Sequence, residues 1–226
     1  MNTENISSKS LLASGFPAQI SAEDIALLPE SHYEGPICWV STDEDLSRAR
    51  DDLLSESVIG FDTETRPAFK KGEFYLPCLA QLASAKAVYL FSLRRPEFFP
   101  LLKQILESEH CAIAGIALAD DFRTLNQVFP FADTQVLDLG LVARRNGFKQ
   151  TGLRNLAALL LGYRISKSAR TSNWEAEVLS PAQRLYAATD AWVCRQLMLR
   201  MQEHHFLALK PSTTSLLVAK ENVAKS

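Results

Sequence analysis

The chain has 226 residues, a formal net charge of −2 and 47% hydrophobic residues. That is enough chain to bury a substantial single core. It holds no apolar run near the roughly 20 residues needed to cross a bilayer, and its near-neutral charge argues against gripping long duplex nucleic acid through the phosphate backbone. The N-terminal stretch lacks the basic start and apolar run of a secretory signal. A soluble, cytoplasmic protein with no membrane partner is therefore expected. The cysteines, Cys38, Cys78, Cys111 and Cys194, form no C-x-x-C pair and read as reduced, mostly buried thiols. The histidines have no zinc-ligand spacing, and His204-His205 reads as a solvated pair or a favourable charge at a helix C-terminus.

In chain order, residues 1–34 are polar with weak periodicity and read as a weakly ordered N-terminal arm, with room for a short helix near 18–28. Residues 37–40 predict a first strand. Ser41-Thr-Asp-Glu44 has capping-box spacing, and Leu46, Ala49, Leu53 and Leu54 form a helical stripe. The β-branched run 57–63 is a strong strand, and the Pro- and Gly-bearing stretch 65–77 is a loop. Runs 78–83 and 87–91, joined by a short polar link, predict antiparallel neighbours, so the opening is a three-stranded meander. A helix over 96–107 and a short strand at 111–114 follow. Leu118, Phe122, Leu125 and Val128 space as a helix. Residues 135–138 predict a strand leading into 139–145, and 153–161 a helix stopped by Gly162. Ser180-Pro181 opens a long last helix to about residue 201, and a tail over 208–226 closes the chain. The domain spans 35–207. Strands first, then helices mixed with further short strands, give an α/β sandwich around a mixed sheet.

Three segments carry acids whose placement needs a chemical reason. Asp62 and Glu64, two apart at a strand end, share one face. Two buried carboxylates side by side repel and are desolvated, so one stays protonated unless a hard divalent cation sits between them. The bland alternative is that the strand has ended and both are solvated. Tyr186 and Asp190 are four apart on the last helix and share its face. An Asp in mid-helix has poor propensity and no capping role there, so on a packed side it wants a partner. Asp120 and Asp121 open a helix, where favourable dipole charge is the plain reading. Helical spacing sets Asp121 with Leu118 and Leu125 toward the core, which makes Asp121 the candidate ligand and Asp120 the competing choice. Asp138 reads as a helix cap.

With these segments in hand, the chain resembles the DEDDy branch of the DEDD 3′–5′ exonucleases, in its Werner-type and RNase D-type form. The matching segments are Val58-Ile-Gly-Phe-Asp-Thr-Glu64, Leu79-Ala-Gln-Leu82 with Val88-Tyr-Leu-Phe91, Gly115 through Leu125, Thr171-Ser-Asn-Trp174 and Leu185-Tyr-Ala-Ala-Thr-Asp-Ala191. The resemblance runs from about 37 to 205 and is specific because the motifs occur jointly and in order. It implies a ribonuclease H-like three-layer sandwich with a mixed five- to six-stranded sheet flanked by helices. It also implies that Asp62, Glu64, Asp121 and Asp190 bind two divalent ions, Mg²⁺ or Mn²⁺, and that Tyr186 helps position the attacking water. The implied activity is 3′–5′ hydrolysis of single-stranded DNA or RNA to nucleoside 5′-monophosphates by the two-metal mechanism. Thr65, Arg66, Leu118, Asn173 and Trp174 are the implied substrate contacts, with packing of the loop as the other role for Trp174. Arg144, Arg145, Lys149, Arg154, Arg164, Lys167 and Arg170 either line a strand-binding cleft or form a solvated face. Two other expectations stay open: a hydrolase of very short oligonucleotides, and a catalytically silent nucleic-acid-binding domain of the same fold.

Overall fold

The computed structural model describes residues 11–207, apart from 13, 69, 71, 133 and 134. The expected tail over 208–226 and the first ten residues of the arm lie outside the described residues. Among the described residues there are six strands: β1 (Ile37–Trp39), β2 (Val58–Thr65), β3 (Pro77–Ala83), β4 (Val88–Ser92), β5 (Ala112–Gly115) and β6 (Val136–Asp138). They form one mixed sheet in the order β1-β4-β3-β2-β5-β6. The β2-β3-β4 meander is antiparallel, as the short link at 84–87 requires, while β1, β5 and β6 add in parallel.

Helices cover both faces, as the α/β reading requires. On one face α2 (Asp43–Leu53), α3 (Phe99–Leu106) and α4 (Leu118–Val128) pack onto Ile59, Phe61, Leu82 and Phe91. On the other lie α5 (Leu139–Arg145), α6 (Leu153–Leu156) and the long α7 (Pro181–Glu203), packed against Val58, Leu79, Ala83 and Leu90. Period-two alternation along β2 therefore assigns 59 and 61 to the first face and 58, 60, 62 and 64 to the α7 face.

Local chemistry fixes the helix ends, with some differences from expectation. The cap of α2 falls one residue later than Ser41: Thr42 and Asp45 form the reciprocal box, because the Asp45 carboxylate reaches back to the Thr42 and Ser41 amides. The helix predicted over 96–107 opens as a 3₁₀ turn at Pro96–Phe98. The one over 153–161 continues from α6 as a π-helical turn at Ala157–Leu161, ended by Gly162 at φ 76°. Asp138 caps α5, accepting from the Gly140 and Leu141 amides. Ser180, Gln183 and Pro181 cap α7 as the sequence indicates.

Residues 11–34, the described part of the expected arm, make contacts with the domain. The Phe16 ring sits 4.7 Å from His204 and 5.9 Å from Phe206, so His204 packs against an aromatic ring instead of standing in solvent. A short helix, α1 (Ala22–Leu27), follows. Arg164 then donates to Pro29 and Leu28 carbonyls, and Tyr33 donates its amide to Thr189 on α7. The cysteines are all free. Among the described residues no helix is long and apolar enough to cross a membrane.

Candidate active site

The site forms where α7 crosses β2. The approach is possible because residue 60 has no side chain: a Cβ there would lie 2.1 Å from the Ala191 carbonyl and 2.6 Å from the Arg195 nitrogen. Backbone therefore meets backbone, and the small residues Ala187, Ala188 and Ala191 let the helix lie flat on the sheet. Asp190 then comes down beside Asp62 and Glu64, the next α7-facing positions along β2. One oxygen from each of the three carboxylates lies within 4.8 Å of the others. Glu64 and Asp190 are 8% and 7% exposed, so strand β2 has not ended in solvent.

Asp121 reaches the same end of β2 from the other layer. The chain leaves β5 at Gly115, where a Cβ would strike Leu118 and the Phe61 carbonyl, and turns through Ala117 in the left-handed region at φ 58°. That sharp entry puts Asp120 and Asp121 in the first turn of α4. Asp120 is exposed and pairs with Arg123 at 2.8 Å. Asp121 turns inward and accepts from Thr63 Oγ1 at 2.7 Å. Asp121 stays outside the 4.8 Å group formed by the other three acids.

Electrostatics mark the four acids as a strained set. Burial, then the Asp190 and Asp121 charges, push the Asp62 carboxyl well above the usual carboxylate range. Burial, then Asp62 and Asp190, push Glu64 up to about 10. Asp190 rises to about 7 through burial, against the opposing Tyr186 hydrogen bond and the Arg154 charge. Asp121 rises to about 6, again through burial, opposed by Thr63. The Tyr186 hydroxyl donates to Asp190, and burial followed by that carboxylate's charge raises the phenol. The donor set is oxygen only, buried or half-buried and mutually repelling, which suits a hard divalent cation.

A stability consequence follows. In unfolded chain these acids ionise near pH 4. In the folded, metal-free chain they hold their protons to about 6, 7 and 10. Between those limits the folded state binds more protons, so stability is fully present below about pH 4 and is lost as pH rises. The melting temperature in EDTA is expected to fall between about pH 5 and pH 8, by roughly 2–4 °C for each kcal/mol lost in a chain this size. Saturating Mg²⁺ should flatten or reverse that slope, because ionised carboxylates bind the ion. A metal-free melting temperature independent of pH would refute the repulsion account.

Among the described residues, two clefts lie near the acids. One, of about 310 Å³, is lined by Arg66, Pro67, Thr171 and Asn173. The other, of about 190 Å³, is lined by Ser31, His32, Ser166, Ser168, Tyr186 and Asp190. Arg66 is exposed, held by Glu175 at 3.2 Å and stacked 4.8 Å over Tyr75. Thr65 is half-buried at the end of β2. Two of the expected substrate contacts are buried. Leu118 is 1% exposed and packs into the core beneath Gly115. Trp174 is 3% exposed, its ring 6.0 Å from Tyr186, so it packs the loop against α7. Ser31 and His32, at the second cleft, carried no signal in the sequence: they come from the arm, where no periodicity pointed inward. Among the expected basic cleft residues, Arg154 and Arg164 are held by backbone carbonyls, and Arg144 and Arg145 close the last turn of α5.

Comparison with known proteins agrees with this geometry. A family model described as 3′–5′ exonuclease matches residues 37–205. The chain is 32% identical over 175 residues to the bifunctional 3′–5′ exonuclease/ATP-dependent helicase WRN of Mus musculus, covering 73% of this chain and 12% of that protein. It is 32% identical over 172 residues to ribonuclease D of Gluconacetobacter diazotrophicus, covering 73% of this chain and 42% of that one. The chain thus spans less than half the length of either relative. The crystal structure of the Aedes aegypti Nibbler EXO domain superposes with a TM-score of 0.70 at 22% identity, covering 80% of this chain and 95% of that domain, which shows a shared fold.

Proposed function

The chain belongs to the 3′–5′ exonuclease family, in its DEDDy, RNase D-like branch, and on that premise we propose that it shortens single-stranded DNA or RNA from the 3′ end and releases nucleoside 5′-monophosphates. The observation that carries this reading is the convergence of Asp62, Glu64 and Asp190 from β2 and α7 within 4.8 Å. In this reading residues 35–207 are the catalytic domain. Asp62, Glu64 and Asp190, with Asp121 from the other layer, would hold the divalent ions. When bound, the ions supply the charge that lowers the water's pKa and stabilises the departing 3′ oxygen. Tyr186, hydrogen-bonded to Asp190, orients the attacking water. Arg66 and Asn173, at the larger cleft, hold the terminal phosphate and sugar, and Thr65 precedes Arg66 at the end of β2. The net charge of −2 fits a cleft that grips a few nucleotides partly through its ions.

The test uses 5′-labelled single-stranded DNA and RNA of graded length with Mg²⁺, Mn²⁺ or EDTA. A metal-dependent ladder shrinking from the 3′ end is expected. Cleavage confined to very short oligonucleotides would replace the substrate class, and binding without any cleavage would indicate a silent domain. Tyr186→Phe keeps the ring and loses the hydroxyl. It is expected to lower kcat by about 10²-fold or more, the scale of one positioned proton-transfer or hydrogen-bonding group, with Mn²⁺ affinity unchanged in titration calorimetry. Equal loss of metal affinity would mean that the hydroxyl serves the ion site instead.

A further inference from the structure

Gln81 is the most unusual polar residue of the core. It lies in the middle of β3, is 0% exposed, and neither Nε2 nor Oε1 finds a hydrogen-bond partner among the described residues. A fully buried amide with both ends unpaired is costly, and an apolar residue of the same shape would serve packing better. Its surroundings explain the cost only in one direction. On its own strand the same-face neighbours are Leu79 and Ala83, packed under α7, and its register partner on β4 is Leu90. Its register partner on β2 is Asp62. Directly opposed residues of an antiparallel pair share a face, with Cβ atoms about 4.5–5.5 Å apart. Asp62 is thus the polar group that the sheet register holds beside the amide.

We infer that Gln81 is a positioning residue for the ion-binding carboxylates: its Nε2 donates to the Asp62 carboxyl and fixes the orientation in which Asp62 faces a divalent cation. The inference rests on the metal site proposed above. The amide is correctly placed for this role because β3 and β2 are adjacent, rigid and central. A carboxylate that must serve more than one partner needs its rotation fixed from behind, the role that hydrogen-bond partners of ligands play at metal sites. The donor left unpaired in the metal-free chain gains the Asp62 carboxyl as its partner on loading.

Gln81→Met keeps the length and volume and removes the amide. In isothermal titration of metal-free protein with Mn²⁺, the variant is expected to bind about tenfold more weakly than wild type. Its melting temperature in EDTA should equal or exceed that of wild type, because two unpaired polar atoms leave the core. A structural role alone would do the opposite: lower stability with Mn²⁺ affinity unchanged, and unchanged affinity overturns the inference. Should the variant not fold, wild type answers alone. The side-chain amide resonance of Gln81 is expected to shift on Mg²⁺ titration with the midpoint of ion binding, and no shift overturns the inference. Asp62→Asn separates the two levels. If wild type binds Mn²⁺, Asp62→Asn does not and Gln81→Met matches wild type, the metal site stands and the role of Gln81 falls. If wild type binds no Mn²⁺, both fall.

Discussion

Asp62→Ala is expected to remove metal-dependent cleavage, by on the order of 10³-fold or more, while the metal-free protein keeps its fold and melts at the wild-type temperature or above. The two halves of this result have one cause. Asp62 stands at the centre of the acid set, near Glu64 and Asp190 and electrostatically coupled to Asp121. In the proposed site it is one of the carboxylates that would hold the divalent ions. Losing it forfeits several kcal/mol of transition-state charge stabilisation, and each 1.36 kcal/mol is a factor of ten. Without metal, the same carboxylate is a desolvated group among like charges, so its removal relieves repulsion. Gel assays of 5′-labelled strands and thermal melts in EDTA, with and without Mn²⁺, read both halves. Wild-type turnover in the variant would refute the site. A metal-free melting temperature well below wild type would show Asp62 to be structural.

Gly60→Ala tests how the site is assembled. A single methyl at residue 60 meets the Ala191 carbonyl at 2.1 Å and the Arg195 nitrogen at 2.6 Å. Neither is a flexible side-chain end, so α7 must lift from β2 or the strand must bend. Overpacking of this kind costs about 1–3 kcal/mol, occasionally more. The functional cost should be larger than the stability cost, because the displaced helix carries Asp190 and Tyr186. The expected result is a folded protein with a melting temperature lowered by several degrees and Mn²⁺ affinity weakened about tenfold or more. Circular dichroism melts and Mn²⁺ titration check it. Wild-type affinity in the folded variant would mean that the close crossing at residue 60 is not what brings Asp190 to the strand.

The acids themselves were legible in the sequence because each sits where local physics leaves it unexplained. Asp62 and Glu64 occupy alternate positions at the end of an apolar strand, and Asp190 stands in the middle of a helix with no cap to make. The choice of Asp121 over Asp120 also followed from helical period: the first turn of α4 must send one toward Thr63 and the other to Arg123. Periodicity likewise gave the meander, the two-sided sheet and the capping of α5 and α7. The substrate contacts were less legible. Leu118 and Trp174 occur in motif segments, yet a motif reports sequence position and not which way a side chain turns, and both turn into the core.

What the sequence determined by itself is the set of elements and the inventory of chemistry on them, since strand and helix periods act over a few residues and expose an acid on an apolar face at once. What only the tertiary structure decided is distance and company. The crossing of α7 over Gly60 brought Asp190 within 4.8 Å of residues more than a hundred positions earlier. The sheet register set Gln81 opposite Asp62, and the packing of Phe16 on His204 and Phe206 tied down the segment that lines the second cleft. These contacts join residues far apart in the chain, and their free energy comes from burial and close backbone approach, which no local period encodes.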